Sequence, residues 1–475
     1  MAGKKLWGGR FEKSQADELF DFLSSEDAAL DQKLAVYDIE GSLAHVCMLS
    51  KQKILGKEEA AEILSALLAL HKKAEDGKFI VDPKLEDVHM NVETAVTAIT
   101  EYGKKMHTAR SRNDQVSLDT RFYMRDAINE LSEGLLSLQA SLSQLAAKND
   151  CVFPSYTHFQ VAQPASVSFW AHAHWQEFER DMQRLSELYS RVNHNPLGSG
   201  AVAGTTWNID REYTSKLLGF SGATANPMDT VSSRGEMEAE LLSHLVLALV
   251  HCSKIAEDII LLSNKRLIVL PDEYSTGSSM MPQKKNPDPL ELIRGKASRM
   301  LGLYVMAAST IKGLPTGYQK DTQETKFSMM HGVDTALSVF SILSKILPLL
   351  KFNKANIEIE LEEGYACATE FADLLAKKGV PFRKAHEISG ATVKDCIAKK
   401  KYLSTLKAGD VSKLAGVSIS QGELDDATSV DKTARFSKQY KIPVSSAHAA
   451  ALSQRKKSLE AAHTLLLKDV KAITG

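Results

Sequence analysis

The sequence EMEAELLSHLVLALVHCSKIAEDIILLSNKRLIVL, residues 236–270, contains neither glycine nor proline. Its apolar side chains recur at alternating steps of three and four residues, the spacing of a helix that packs along one seam. They are Met237, Leu241, Leu245, Ala248, Cys252, Ile255, Ile259 and Leu262. A helix over the whole run would be roughly 50 Å long at about 1.5 Å per residue. The run therefore predicts a core built from long helices.

Four further stretches have the same character. They are residues 112–147, interrupted only by Gly134; residues 165–195, between two prolines; a run from Pro289 past Ala307; and residues 322–347. No stretch of comparable length alternates with period two. We therefore predict an all-α protein with a central bundle of long helices.

The flanking regions differ from this centre: residues 1–110 contain shorter helical pieces separated by glycines and a proline, and the periodicity is weaker from about residue 365 onward. This difference predicts a chain of three domains, at 1–110, 111–364 and 365–475. Helices this long and apolar favour a homo-oligomer with a shared helical core. The alternative is a monomeric helical repeat, but no unit of repeat length recurs along the chain.

Composition narrows the class of protein. The chain has 475 residues with 58 basic and 59 acidic side chains, which argues against a general nucleic-acid or membrane-surface binder. Its five cysteines are scattered without a CxxC pair, so we expect neither a disulfide framework nor a zinc ribbon. The most apolar long segment, residues 241–262, is broken by polar and charged side chains, and the amino terminus lacks a signal-like apolar run. We expect a cytoplasmic protein without a membrane span.

The run GSSMMPQKKNP, residues 277–287, places two hydroxyls, two ammonium groups and a side-chain amide in a predicted loop. Lys284 can hold an anion, and a hydroxyl near it, such as that of Ser278, can be biased toward ionisation. Glu291 follows where a helical pattern resumes, as an acid that can orient a histidine or simply favour a helix start. The alternative interpretation of the whole run is a solvated basic loop.

Three other polar clusters stand where long helices begin or end. Residues 86–91 and 107–114 contain arginines and an asparagine at a helix start, which indicates either an anion site or ordinary capping. Residues 155–164 form a predicted loop with His158, a candidate for proton transfer or an incidental histidine. Residues 317–326 place Gln323 and Lys326 on one helix face, which is otherwise an exposed helix start. No HExxH motif is present, and we assign no metal.

Together these clusters resemble the fumarase/aspartase superfamily. Residues 156–164 are similar to one signature of that superfamily and residues 277–287 to the other. The core Gln283-Lys284-Lys285-Asn286 is more similar to the argininosuccinate lyase family within it. Residues 5–11, 111–115, 313–321 and 379–386 resemble the same family, so the likeness spans nearly the whole chain.

The resemblance implies an all-α, three-domain homotetramer with a twenty-helix core, in which each active site draws on three subunits. It implies reversible elimination of fumarate from argininosuccinate to give arginine, without a cofactor. Ser278, supported by Lys284, would remove the proton, and His158, paired with Glu291, would protonate the leaving nitrogen. The reverse assignment of base and acid stays open.

The resemblance also implies a set of substrate contacts. Asn113 and Thr157 would bind the succinyl carboxylates; Asn286, Tyr318, Gln323 and Lys326 would hold substrate from a neighbouring subunit; and Asp87, His89, Ser111 and Arg112 would support them. One contact departs from the pattern, because Asp27 stands where a serine is usual. Ser24 or Ser25 could take its place.

Two alternatives to this function stay open. One is another fumarate-releasing lyase, such as an adenylosuccinate enzyme. The other is a non-catalytic, crystallin-like structural protein on the same fold.

Overall fold

The computed structural model describes residues 17–24, 26–149, 151–434, 443 and 446–475. The motif at residues 5–11, residue Ser25 and the side chain of Ser24 lie outside the described part of the chain.

Helices dominate the described residues. In chain order they are α1 (Asp17–Ser24), α2 (Asp27–Asp31), α3 (Ala35–Lys51), α4 (Lys57–Glu75), α5 (Val88–Ile99), α6 (Arg112–Lys148), α7 (Val167–Val192), α8 (Arg211–Leu217), α9 (Pro227–Ser232), α10 (Glu236–Asn264), α11 (Asp288–Ile311), α12 (Glu324–Ile346), α13 (Lys354–Glu363), α14 (Ala368–Lys377), α15 (Phe382–Lys399), α16 (Ala408–Ala415), α17 (Gln421–Thr428), α18 (Val430–Thr433) and α19 (His448–Thr474). Two short antiparallel pairs of strands accompany them: β1 (Val152–Thr157) with β2 (Gln160–Ser166), and β3 (Ile268–Val269) with β4 (Lys351–Phe352).

The predicted seam of α10 is confirmed. Its positions from Leu241 to Leu262 are buried, while Met237 is partly buried against the same core. The helix ends at Asn264, before the glycine- and proline-free run does. The chain leaves the helix there because Arg266 takes a left-handed conformation with φ +61°, and the next residues form β3. The all-α prediction therefore holds, and α6, α7, α10, α11 and α12 form the central bundle.

The loop predicted at residues 155–164 is wrong in part, because most of it lies in the antiparallel hairpin of β1 and β2. Thr157 pairs with Gln160, and Pro154 lies opposite Pro164. The strands are short, their facing prolines remove main-chain donors, and a register irregularity follows Pro154. Burial along β1 does not alternate, so period two was not visible in the sequence.

The segment Lys320–Leu349, which contains α12, is the described stretch whose length and mean hydropathy of 1.4 would suit a membrane-crossing helix. The sequence predicts the most apolar long run at residues 241–262 instead. Half of the hydropathy window in Lys320–Leu349 is already buried within one chain. Met329, Met330 and Phe340 point into the core, as expected for the central helix of a bundle.

One main hydrophobic core contains buried side chains from elements between Leu30 and Ala366, together with Leu466 and Val470 of α19. A separate hydrophobic cluster, whose buried members extend in sequence from Phe371 to Leu424, is formed by α14–α17 and the segments between them. The last helix thus packs against α3, α4 and α8 rather than with the elements that precede it. The domain boundaries at 110 and 364 stay predictions.

The bundle has two distinct ends, which we name the Ser111 end and the hairpin end. The antiparallel helices α6 and α7 are joined by β1 and β2, so the first turn of α6 and the hairpin lie at opposite ends. The 37 residues of α6 separate them by about 55 Å at ~1.5 Å per residue.

The direction of α10 follows from its end contacts. Arg191 of α7 pairs with Glu240 at the Ser111 end, and Lys265 stacks on the ring of Tyr156, 4.8 Å away, at the hairpin end. The next helix, α11, therefore begins at the hairpin end, and α12 begins at the Ser111 end.

Core packing in the bundle can be tested at Phe340, which is 1% exposed and lies over Gly134, where a Cβ would come within 2.8 Å of the ring. Phe340→Ala should lower the free energy of unfolding by about 3–5 kcal/mol, because it leaves a cavity between α6 and α12. Phe382→Ala, at a side chain that is 63% exposed, is the matched control and should change it by roughly 0.5 kcal/mol or less. Urea unfolding followed by circular dichroism measures both, and similar losses in the two variants would contradict this packing.

Candidate active site

A cavity of about 610 Å³ opens at the Ser111 end. It is lined by His107, Ala109, Arg110, Ser111, Arg112, Gly200, Ala201, Gly204, Thr205 and Trp207. Its walls come from the segment that leads into α6 and from the glycine-rich residues 198–207 that follow α7. The cavity thus brings together a helix start and a loop that are far apart in sequence.

The first turn of α6 is capped by its own residues. The Ser111 hydroxyl accepts a hydrogen bond from the Asn113 N–H (3.2 Å), and the Asp114 carboxylate accepts one from the Ser111 N–H (3.0 Å). The same carboxylate also accepts from the N–H groups of Gly198 (3.1 Å) and Gly200 (2.8 Å), which ties the glycine-rich loop to the helix. Burial raises the pKa of Asp114 to about 6. Capping and an anion-attracting helix start therefore coexist here.

The side chains of Arg112 and Asn113 are held from two sides of the cavity. Arg112 Nη1 lies 3.3 Å from a carboxylate oxygen of Glu86 and 3.3 Å from one of Asp87. Asp87 also caps α5 by accepting from the Met90 N–H (2.8 Å). Asn113 Nδ2 donates to the carbonyl of Ala201 (2.9 Å) in the glycine-rich loop. These bonds position a cation and an amide beside the cavity.

Arg110, one of the two arginines in the candidate anion site at residues 107–114, lines the same cavity. It is buried, and its Nη1 donates to Ser42 Oγ (3.0 Å), while no residue in the described part of the chain accepts a hydrogen bond from Nε or Nη2. A buried guanidinium with free donors favours an anion nearby. The signal that could have drawn attention to this wall is the glycine-rich run at residues 198–204, which Asp114 holds in place.

His89 is buried and is not among the residues that line the cavity. Its Nδ1 lies 2.8 Å from a carboxylate oxygen of Asp38 and 3.5 Å from one of Asp119. Burial alone would lower the pKa of His89, but the neighbouring carboxylates raise it to about 9. These three residues have the spacing of metal ligands. An imidazole that keeps its proton between two carboxylates is better suited to an ion pair than to metal binding, which needs the free nitrogen.

At the hairpin end, His158 and Phe159 form the two-residue turn between β1 and β2. Both have positive φ, +52° and +60°, as a type I′ turn requires. This conformation is uncommon and strained for residues other than glycine. Such backbone strain occurs often at functional positions. It places His158 and the adjacent Thr157 at an exposed tip.

The loop at residues 275–287 lies outside regular helix, as predicted, and is closed at its base. Thr276 and Asn286 exchange main-chain hydrogen bonds of 3.1 and 2.7 Å, and Asn286 Nδ2 donates to the carbonyl of Gly277 (3.2 Å). Ser278 Oγ accepts from the N–H groups of Met280 (3.3 Å) and Met281 (3.1 Å).

Lys284 of this loop and Glu291 in the first turn of α11 are exposed. Among the described residues, no hydrogen bond or ion pair joins Glu291 to His158 within the chain. Their predicted pairing therefore has no support inside one subunit.

Gln323 and Lys326 lie at the Ser111 end and contact the first two helices. Gln323 Nε2 donates to the carbonyl of Leu23 (2.9 Å). Lys326 Nζ donates to the carboxylates of Asp27 and Asp31, each at 2.6 Å, and is 3% exposed. The alternative interpretation of residues 317–326 as an exposed helix start is therefore wrong at Lys326, whose side chain is buried.

Tyr318 belongs to the same end of the bundle. It follows Gly317, whose N–H donates to Ser232 Oγ (2.8 Å). A Cβ added at Gly317 would lie 4.0 Å from a methyl group of Val202, which belongs to the glycine-rich loop of the cavity.

The predicted site residues thus form two groups at opposite ends of the bundle. Those at the Ser111 end are Asp87, His89, Ser111, Arg112, Asn113, Tyr318, Gln323 and Lys326. Those at the hairpin end are Thr157, His158, Ser278, Lys284, Asn286 and Glu291. A separation of about 55 Å along α6 prevents one chain from bringing the two groups around one small molecule.

The fold is shared with lyases of the fumarase/aspartase superfamily. A family model described as Lyase matches residues 9–302. A crystal structure of EDDS lyase in complex with formate superposes with a TM-score of 0.83 at 28% identity, covering 97% of this chain and 96% of that one. A class II fumarase from Schistosoma mansoni gives a TM-score of 0.72 at 14% identity, covering 90% and 93% of the two chains, which shows the fold alone.

Sequence relatives narrow the class further. Residues 365–435 match a family model described as Argininosuccinate lyase C-terminal. The argininosuccinate lyase of Desulforamulus reducens is 44% identical over 417 residues, covering 87% of this chain and 90% of the relative. That of Acetivibrio thermocellus is 43% identical over 406 residues, covering 85% and 88%. The chain belongs to the argininosuccinate lyase family.

The buried ion pair of His89 has a testable pH dependence. Because its pKa is raised from 6.5 to about 9, its contribution to stability is fully present below about pH 6.5 and is lost as the pH rises through about 9. His89→Gln should therefore flatten the fall in urea midpoint between about pH 7 and 9. The matched control is His45→Gln, because burial lowers the pKa of His45 to about 3 and that histidine is already neutral in this range. An unchanged slope in His89→Gln would contradict the protonated state of His89.

Proposed function

We propose that the protein catalyses the reversible elimination of fumarate from argininosuccinate, releasing arginine, as a step of arginine biosynthesis. The observation that carries this proposal is the retention of Ser278, His158, Lys284 and Asn113 in a chain 44% identical to an argininosuccinate lyase over most of its length. Retention of these groups together also favours an active enzyme over a crystallin-like structural protein. Its substrate and products would be argininosuccinate, arginine and fumarate, without a nucleic-acid or membrane partner.

Proton removal falls to Ser278 in this proposal. A serine hydroxyl is a weak base, so its alkoxide needs stabilisation. The N–H groups of Met280 and Met281 donate to its oxygen, and Lys284 adds a positive charge in the same loop. Loss of the carbon-bound proton leaves negative charge on the adjacent carboxylate, which becomes enediolate-like. Asn113, with the start of α6 and the guanidinium groups beside it, stabilises that charge.

His158 protonates the departing guanidino nitrogen in this proposal. Its exposed position in the hairpin turn leaves the imidazole free to enter a site made by another copy, where Glu291 orients and charges it. The second proposed contact of the hairpin, Thr157, binds a succinyl carboxylate together with Asn113. With the roles reversed, His158 would take the carbon-bound proton and Ser278 would supply one to nitrogen.

We further propose that the site is completed in a homotetramer. The two groups of site residues are about 55 Å apart in one chain, so antiparallel copies must place the hairpin end of one against the Ser111 end of another. Helices α10 and α11 expose apolar side chains that such copies would cover: Leu247, Val250 and Leu261 on one face of α10, and Leu301 and Val305 on one face of α11. Five long helices from each of four copies would make a twenty-helix core.

The proposed elimination needs no cofactor, because this chain supplies the base, the acid and the charged groups that face the intermediate. Cys47, Cys252, Cys367 and Cys396 are buried free thiols and Cys151 is a partly buried one. Free thiols suit a reducing compartment, and we propose the cytoplasm.

Activity can be tested by offering argininosuccinate, adenylosuccinate, aspartate and malate separately and following fumarate by ultraviolet absorbance. Fumarate should appear from argininosuccinate. Ser278→Ala and His158→Asn should each lower kcat by about a hundredfold or more while leaving the oligomer intact, because each removes a proton-transfer group. The matched control is Ser279→Ala, next to Ser278, which should retain activity. Fumarate from adenylosuccinate alone, or near-normal rates in either variant, would contradict the proposal.

A shared site can be tested by mixing inactive variants from the two ends. His158→Asn and Asn113→Leu, refolded together, should recover part of the activity, because some mixed sites contain neither change. Each variant refolded alone is the control. Absence of recovery, with mixed oligomers demonstrated by native mass spectrometry, would count against sites made from several copies.

A further inference from the structure

The first turn of α6 and the glycine-rich loop contact each other residue by residue. The Asp114 carboxylate accepts hydrogen bonds from the N–H groups of Gly198 (3.1 Å) and Gly200 (2.8 Å). The neighbouring Asn113 donates from Nδ2 to the carbonyl of Ala201 (2.9 Å). Two consecutive residues of the helix thus bind two consecutive residues of the loop. Because Asp114 is buried and Asn113 is only half-buried, Asp114 is the more firmly held of the two.

Asp114 needs both of its carboxylate oxygens to join the helix start to the loop. One oxygen accepts from the Ser111 N–H (3.0 Å) at the helix start, and the other accepts from Gly198 and Gly200 in the loop. An asparagine in its place would offer one oxygen and one NH₂ group. Whichever way that amide turned, its NH₂ would face an N–H donor. Either the helix start or the loop would then lose its hydrogen bonds, at the cost of an unpaired buried donor.

The loop backbone has little freedom to adopt another path. Gly198 and Gly200 have positive φ, +87° and +59°. A Cβ added at Gly198 would lie 2.8 Å from the side chain of Arg211, and one added at Gly200 would lie 2.5 Å from the Gly204 carbonyl oxygen. Arg211 also holds the loop directly, because its Nε donates to the Leu197 carbonyl (2.8 Å). The carbonyl that follows Gly200 in the chain therefore has a set position.

That carbonyl, of Ala201, determines which way the Asn113 amide points. A carbonyl only accepts hydrogen bonds, so the amide atom that faces it must be the nitrogen. Ala201 lines the cavity, which puts this nitrogen on the cavity side of the amide. Within the described part of the chain, the second N–H of the Asn113 NH₂ group is not bonded to any acceptor. It is therefore available to a ligand in the cavity.

We propose that Asp114 is a positioning residue, which fixes the loop and thereby turns the Asn113 amide so that it presents N–H rather than C=O to the ligand. This role rests on the proposed function, in which Asn113 binds a carboxylate of the succinyl group. A carboxylate has acceptor oxygens only, whereas a carboxamide has one oxygen and one NH₂ group. An amide fixed with its N–H toward the ligand therefore selects a carboxylate over a carboxamide.

Fumarate and its diamide, fumaramide, test this selection, because they share a carbon skeleton and each is the same at both ends. Their dissociation constants can be measured by isothermal titration calorimetry, which needs no turnover. The unaltered protein should bind fumarate more tightly than fumaramide. Asp114→Asn should lower the ratio of the fumaramide constant to the fumarate constant by about tenfold, because a released Asn113 amide can turn its oxygen toward the NH₂ of the diamide.

The matched control is Asp210→Asn, the same chemical change at an aspartate that caps α8. Asp210 accepts from the Tyr213 N–H (2.9 Å), and an asparagine oxygen can accept the same bond, so the ratio should stay unchanged. If Asp114→Asn does not fold, Arg211→Lys replaces it. This change removes guanidinium bonds to the loop but leaves Asp114 in place, and it should lower the ratio in the same direction.

The outcomes separate this role from the proposed function. Equal dissociation constants in the unaltered protein would overturn the role of Asp114 without any variant. A variant Asp114→Asn that weakens both ligands by the same factor would show a merely structural residue and would also overturn it, while fumarate release from argininosuccinate by the unaltered protein would stand. A protein that prefers fumarate to fumaramide but releases no fumarate from argininosuccinate fails the proposed function alone.

Discussion

The length of α6 is the constraint on which the rest of the site depends. One uninterrupted helix of 37 residues carries Asn113 in its first turn and leads at its other end to the hairpin of His158. Because a helix is stiff over this distance, the two groups of polar side chains cannot meet within a chain. Apolar side chains of α10 and α11 are exposed within one chain. The proposed association of copies would cover them and join the two groups of site residues in one step.

Much of the fold could be predicted because helices that pack against one another have apolar residues at regular spacing in the sequence. The seam of α10 and the extent of α6 follow from apolar spacing, and the approximate limits of α7, α11 and α12 follow also from prolines at or near their ends. The hairpin of β1 and β2 could not be predicted this way, since its short strands pair through main-chain atoms and contain facing prolines. The return of α19 to the amino-terminal helices is a tertiary contact without a local signal.

The residue types of the candidate site were visible in the sequence, but their surroundings were not. Ser111 and Asp114 could be predicted as caps, because a serine three residues before an acid at a helix start has a local partner. The buried ion cluster of Lys326 could not, because Asp27 lies nearly 300 residues away. Ala109 has a φ of +64°, a conformation that glycine adopts more readily than alanine, and no residue pattern in the sequence indicates it.

A structure of the assembled protein with fumarate bound, determined by electron cryo-microscopy, would show directly whether the two groups of site residues meet between copies. We expect fumarate between the Ser278 loop of one copy and the Asn113 helix start of another, with the His158 hairpin of a further copy beside it. Fumarate contacted by residues of a single chain, or an assembly that leaves the hairpin end of every copy away from every Ser111 end, would contradict a site shared between copies.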